Sequence, residues 1–123
     1  MDIRVTLLLS VLLLPLMIAV LGAVMAQRPP KRINHWMGYR TARSMRSQVA
    51  WDFANRLSGR LMCFVGAVML VFNTIVMLFV IKQAEKVVAY AAIVLCCLTL
   101  AALFGVVVYT EHRLKKFDSE NDT

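Results

Sequence analysis

Three apolar runs decide what this chain can fold into. Residues 5–26, 61–81 and 87–109 contain no charged side chain and few polar ones. Backbone placed in hydrocarbon must satisfy its N–H and C=O groups internally, and an α-helix does so within one run. At about 1.5 Å per residue the first run reaches roughly 33 Å, enough to cross a bilayer core. The expected fold class is therefore all-α, an integral membrane protein with three transmembrane helices. The chain has 123 residues, 60% of them hydrophobic, so one small membrane domain is the most it can hold.

The first run carries Pro15, which removes one backbone hydrogen bond and predicts a kink. The freed carbonyl then needs a partner on a neighbouring helix or a water. A secretory signal peptide is the competing reading, since Arg4 precedes the run and Val24-Met25-Ala26 ends it like a cleavage site. The run is longer than the usual signal core of about 7 to 15 residues, and retention as a span is expected. In the second run Asn73 and Thr74 lie near the middle. An amide there is expected to face another helix, where an interhelical hydrogen bond is worth about 1 kcal/mol. Residues 82–86, KQAEK, form a polar turn that sends the third span back antiparallel. In that span Cys97, Ala101 and Gly105 recur every fourth residue, a face expected to allow close helix packing and a candidate oligomer contact. The tail, 110–123, mixes acids with bases, and its end is expected to be disordered.

Between the first two spans lies the polar segment 27–60. Its residues 28–60 hold eight of the fourteen Lys/Arg against a single acid, Asp52. With three spans this loop and the tail share one side of the membrane, and the N-terminus and the 82–86 turn share the other. The positive-inside rule then puts loop and tail in the cytoplasm and the N-terminus outside, in a bacterial plasma membrane. The basic excess is thereby explained by membrane topology, and with no recognisable nucleic-acid module a nucleic-acid partner is not expected.

Within the loop, Pro29-Pro30 stops the first helix among basic residues. The stretch 34–41, NHWMGYRT, mixes turn formers with Trp36 and Tyr39, aromatics suited to the headgroup layer. Ser44 or Ser47 can cap the helix that follows. There Ala50, Phe53, Ala54, Leu57 and Leu61 fall on one face, Asp52, Arg56 and Arg60 on another, and Trp51, Asn55, Ser58 and Met62 on a third. The expectation is an amphipathic interfacial helix that bends at Ser58-Gly59 into the second span.

Asn34, Gly38-Tyr39-Arg40-Thr41, Ser44, Trp51, Ala54-Asn55 and Gly59 together resemble the signature of the SdpI family of small bacterial membrane proteins. Its pattern is an Asn, a GYRT or GIRT turn, a Ser or Thr, then a Trp followed four residues later by Asn. His35 is a departure, since the family often has Pro after the first Asn. The resemblance implies immunity of the producing cell to a secreted toxic peptide. For the family's named member it also implies sequestration of a cytoplasmic transcriptional repressor at the membrane; that member carries additional spans.

The residues themselves offer little for catalysis. His35 and His112 stand apart in sequence, the spans hold no carboxylate, and Cys63, Cys96 and Cys97 lack the spacing of a zinc site or a disulfide framework. No enzyme activity, cofactor or metal is expected. The expected binding set is Asn34, Gly38, Tyr39, Arg40, Thr41, Ser44, Trp51 and Asn55, whose fork donor, amides and indole can hold a phosphate, a carboxylate or a peptide backbone. Its candidate ligands are a toxic peptide, lipid phosphate of the bilayer or a regulator. The same groups can equally act as a folding device, the turn packing on the helix and Trp51 anchoring it. The alternative function is that of a non-catalytic accessory subunit of a larger membrane complex such as a transporter.

Overall fold

In the computed structural model, which describes residues 2–121, the chain is helical throughout its regular structure: α1 (Ile3–Gln27), a short 3-10 turn (Ser44–Arg46), α2 (Gln48–Val80) and α3 (Glu85–Asn121). All three α-helices are long and apolar enough to cross a membrane. Most of their large apolar side chains face outward, as lipid-facing helices require.

Each start has a local cause. The Asp2 carboxylate accepts the Arg4 amide at 3.1 Å and caps α1, while Ser47 accepts the Ala50 amide at 3.1 Å and caps α2. Of the two serines expected to cap, Ser47 does so and Ser44 enters the 3-10 turn. The expected interfacial helix and second span are one continuous helix of 33 residues. The buried face of its first turns draws on two of the three stripes read in sequence. It consists of Ala50, Ala54 and Ser58 beside Trp51, Asn55 and Gly59, while Phe53 and Leu57 are half-buried. The helix turns its small and polar residues inward because the loop, another polar backbone, is what packs there.

The α1–α2 contact is made at backbone range. A Cβ built on Gly22 would lie 2.3 Å from the Cys63 nitrogen, one on Gly59 would lie 2.7 Å from the Ala26 nitrogen, and one on Gly66 would lie 2.5 Å from the Ala19 nitrogen. Close packing therefore runs along α1 and α2. The small-residue face expected on the third span points outward: Cys97, Ala101 and Gly105 are exposed, and a Cβ on Gly105 would meet nothing within 4 Å.

At mid-bundle Asn73, fully buried, donates to the Val11 carbonyl and to the Thr99 hydroxyl, both at 3.2 Å. Val11 lies four residues before Pro15, so its carbonyl is the one the proline leaves without an amide. One side chain of α2 thus repairs the ladder of α1 and ties in α3. Below it, Val11, Met77, Val88, Ala92 and Leu95 form a core at the end where the Arg4 guanidinium donates to the Ile81 carbonyl at 3.2 Å. A second core of Tyr39, Ala50, Ala54 and Leu114 sits at the opposite end, under the loop.

Candidate functional site

The segment after α1 folds back over the ends of α2 and α3, and the residues singled out in sequence hold it there. Asn34 builds the first turn. Its side-chain oxygen accepts the amides of Trp36 at 2.9 Å and Met37 at 2.8 Å, and its amide donates to the Arg32 carbonyl at 2.8 Å. Gly38 follows with φ +97°, a conformation that side chains disfavour. It is also pressed against α2, since a Cβ there would sit 2.4 Å from the Asn55 side-chain oxygen.

That closeness lets Asn55 read the backbone of the next residue. Its oxygen accepts the Tyr39 amide at 2.8 Å, and its own amide donates to the Tyr39 carbonyl at 3.4 Å and to the Trp51 carbonyl at 2.9 Å. Asn55 is fully buried, so these bonds replace water it cannot reach. One turn earlier Trp51, also fully buried, donates its indole N–H to the Pro30 carbonyl at 2.8 Å. The two residues of the Trp-x-x-x-Asn pattern thus lie one above the other on α2 and grip the loop at two carbonyls, on either side of Gly38.

Thr41 and Ser44 close the segment reciprocally. The Thr41 amide donates to the Ser44 hydroxyl at 2.9 Å, and the Ser44 amide donates to the Thr41 hydroxyl at 3.2 Å. Buried Ser44 also reaches the carbonyls of Thr41 at 2.8 Å and Tyr39 at 3.1 Å. Six of the eight expected site residues, namely Gly38, Tyr39, Thr41, Ser44, Trp51 and Asn55, therefore converge on one point. Asn34 serves the neighbouring turn, and Arg40 points away, exposed, its guanidinium donating to the His35 carbonyl. Trp36 is 86% exposed, in keeping with a headgroup-layer aromatic, whereas Tyr39 is buried.

Tyr39 joins this cluster to the third helix. Its hydroxyl donates to the Glu111 carboxylate at 2.7 Å and lies 3.2 Å from the Val107 carbonyl. Burial, and after it the hydrogen bond and charge of Glu111, pushes the phenol pKa well above the ordinary tyrosine range. The residues after 109 continue α3 to Asn121, where a disordered end was expected; residues 122 and 123 lie outside the described residues. Leu114 of this extension is fully buried, and Phe117 stacks on Phe53 with centroids 4.3 Å apart. Glu111 and Asp118 face the loop's arginines: Arg43 lies 3.7 Å from Glu111 and 3.9 Å from Asp118, and Arg46 lies 3.5 Å from Asp118. Glu111, Leu114, Phe117 and Asp118 are the members that sequence reasoning missed. Their spacing of three, three and one places them on one helical face, opposite in charge to the loop.

This arrangement is a folded cap on the bundle. Its buried amide, indole and hydroxyl are engaged with the chain's own backbone, and what it offers outward is Arg40, Trp36 and the basic flank of α2.

Comparison with known proteins matches the same region. The family model described as the SdpI/YfhL protein family matches residues 31–110, from the start of the cap to the end of the third apolar run. In Bacillus subtilis (strain 168) the curated protein named "Uncharacterized protein YfhL" is 49% identical over 47 residues, 38% of this chain. The match covers 43% of that relative's length. No solved structure matches the chain.

Proposed function

The chain belongs to the SdpI/YfhL protein family, and from that premise we propose that it is an immunity protein of the bacterial plasma membrane, protecting its cell from a secreted, membrane-active peptide. The N-terminus lies outside, and the cap and the α3 extension lie in the cytoplasm, the orientation favoured by eight Lys/Arg between residues 28 and 60. In this reading the glycine-packed bundle is the part that resists or binds the peptide. The cap, with Arg40 and Arg46 exposed, is the surface on which a cytoplasmic repressor docks. The observation that carries the proposal is the cap itself: the family signature, Asn34 through Asn55, is built as one hydrogen-bonded unit within the matched region.

The test is survival. Sensitive cells expressing the chain are challenged with the toxic peptide of a strain that carries this family's immunity system, and survival is expected to rise over empty-vector cells. Unchanged survival with membrane expression confirmed overturns the proposal. A second reading, an accessory subunit of a larger membrane complex, is favoured by the outward small-residue face of α3, where Gly105 has open space above it. Crosslinking from that face separates the two, since this reading requires a stoichiometric membrane partner in the absence of toxin.

A further inference from the structure

The basic flank of α2 has a shape as well as a charge. Arg56 and Arg60 are one helical turn apart, and Arg113 comes from α3; all three are exposed and line an open groove of about 480 Å³ between the helices. Phe53, Leu57 and Phe117 supply its apolar side. Like charges at this spacing repel, yet among the described residues no carboxylate lies within ion-pair distance of Arg56, Arg60 or Arg113. Asp52, the one acid on the lining, accepts a hydrogen bond from Gln48 at 2.9 Å. The contrast with Arg43 and Arg46 matters, because those arginines are matched to Glu111 and Asp118 within the chain.

The groove's height along the bundle indicates what supplies the missing anion. Arg60 immediately precedes the second apolar run, and Arg113 stands one turn beyond the last residue of the third. Side chains at both positions reach the layer where lipid phosphates lie. Guanidiniums bind phosphate oxygens through paired N–H donors, and the adjoining aromatic and aliphatic surface suits glycerol and the first acyl carbons.

We propose that this groove is a binding site for the phosphate of an anionic phospholipid, held by Arg56, Arg60 and Arg113. The site is separate from the cap's hydrogen-bonded core and does not depend on the immunity reading.

The full chain, purified in detergent and titrated with phosphatidylglycerol or phosphatidylcholine, is examined by native mass spectrometry. One phosphatidylglycerol is expected to be retained in preference to phosphatidylcholine. Arg56→Gln, Arg60→Gln and Arg113→Gln are each expected to weaken retention by about fivefold, the usual share of one basic residue at an anionic surface. Lys82→Gln, at the far end of the bundle, is expected to change nothing. Equal retention of the two lipids, or unchanged retention in the triple arginine variant, overturns the proposal. Displacement of the lipid by millimolar inorganic phosphate alone also overturns it, and reassigns the groove to a soluble phosphate. If the triple variant no longer melts cooperatively, Asp52→Asn decides: stronger phosphatidylglycerol retention supports the site, and unchanged retention overturns it.

Discussion

Replacing Asn55 with alanine is expected to release the cap while leaving the bundle assembled. The native amide accepts the Tyr39 N–H at 2.8 Å and donates to the Trp51 and Tyr39 carbonyls at 2.9 and 3.4 Å, all with no exposure to water. The Trp51 carbonyl sits inside α2 and keeps its helical partner, so its loss is small. Tyr39 has no such substitute on the N–H side, and an orphaned buried donor costs about 1–3 kcal/mol. Taking about 2 kcal/mol for that group, at 1.4 kcal/mol per tenfold, the cap opens about 30-fold more often. Amide hydrogen exchange on the detergent-solubilised protein reads this directly, because local opening exposes the Tyr39 amide without global unfolding. Protection at Tyr39 is expected to fall by that factor, while the amides around Asn73 keep theirs. A Tyr39 amide as protected in the variant as in the parent refutes the reasoning, since the grip would then lie elsewhere.

Other outcomes follow from the same contacts. Gly38→Ala is expected to cost about 1–2 kcal/mol from the positive φ alone, with more from the collision with the Asn55 oxygen, read as faster proteolysis within residues 28–47. Gly22→Ala and Gly66→Ala are expected to lower the melting temperature in detergent, because each Cβ meets backbone that must move, whereas Gly105→Ala is expected to be neutral. Asn73→Ala is expected to cost about 1 kcal/mol, and less in a Pro15→Ala background, where residue 15 regains the N–H that serves the Val11 carbonyl; a thermal-melt double-mutant cycle measures the coupling. The raised Tyr39 pKa fixes a sign with pH. The folded value lies above the unfolded one, so this stabilisation is complete below about pH 10 and is lost as pH rises through the folded value. Tyr39→Phe should therefore remove one phenol's worth of absorbance change from the high-pH end of an ultraviolet titration.

The parts of the fold that depend on the bilayer were legible in the sequence. Hydrocarbon leaves a charge-free run little choice but a helix, and an amide in mid-span little choice but a neighbour, so three helices and an inward Asn73 followed. The partner of Asn73 was not legible, because the Val11 carbonyl and Asn73 meet only after α1 and α2 are set in register by Gly22, Gly59 and Gly66. The small-residue periodicity of α3 showed where close approach is sterically allowed, but not which helix would take it up. In the candidate site, residue types and spacing brought Asn34, Gly38, Trp51 and Asn55 to notice, but the direction of their bonds came from folding. A buried amide serves backbone as readily as ligand, and here the loop's own carbonyls and amides reach it first. The α3 extension was masked by its mixed charges, which in sequence resemble a solvated tail. Glu111 and Asp118 face Arg43 and Arg46, and Leu114 and Phe117 are the apolar face that sequence reasoning missed.

The unbroken length of α3 makes it a lever. From Thr99, held at mid-bundle by Asn73, to Asp118, which meets Arg43 and Arg46, there are 19 residues, about 28 Å of helix. A tilt of about 5° at the pivot carries the far end through roughly 2.5 Å. That travel is comparable to the 2.7 Å bond between Tyr39 and Glu111 and to the 3.5 Å separation of Arg46 and Asp118. A change of that size in the angle of the span would, with no hinge intervening, be enough to make or break the contacts that seat the cap.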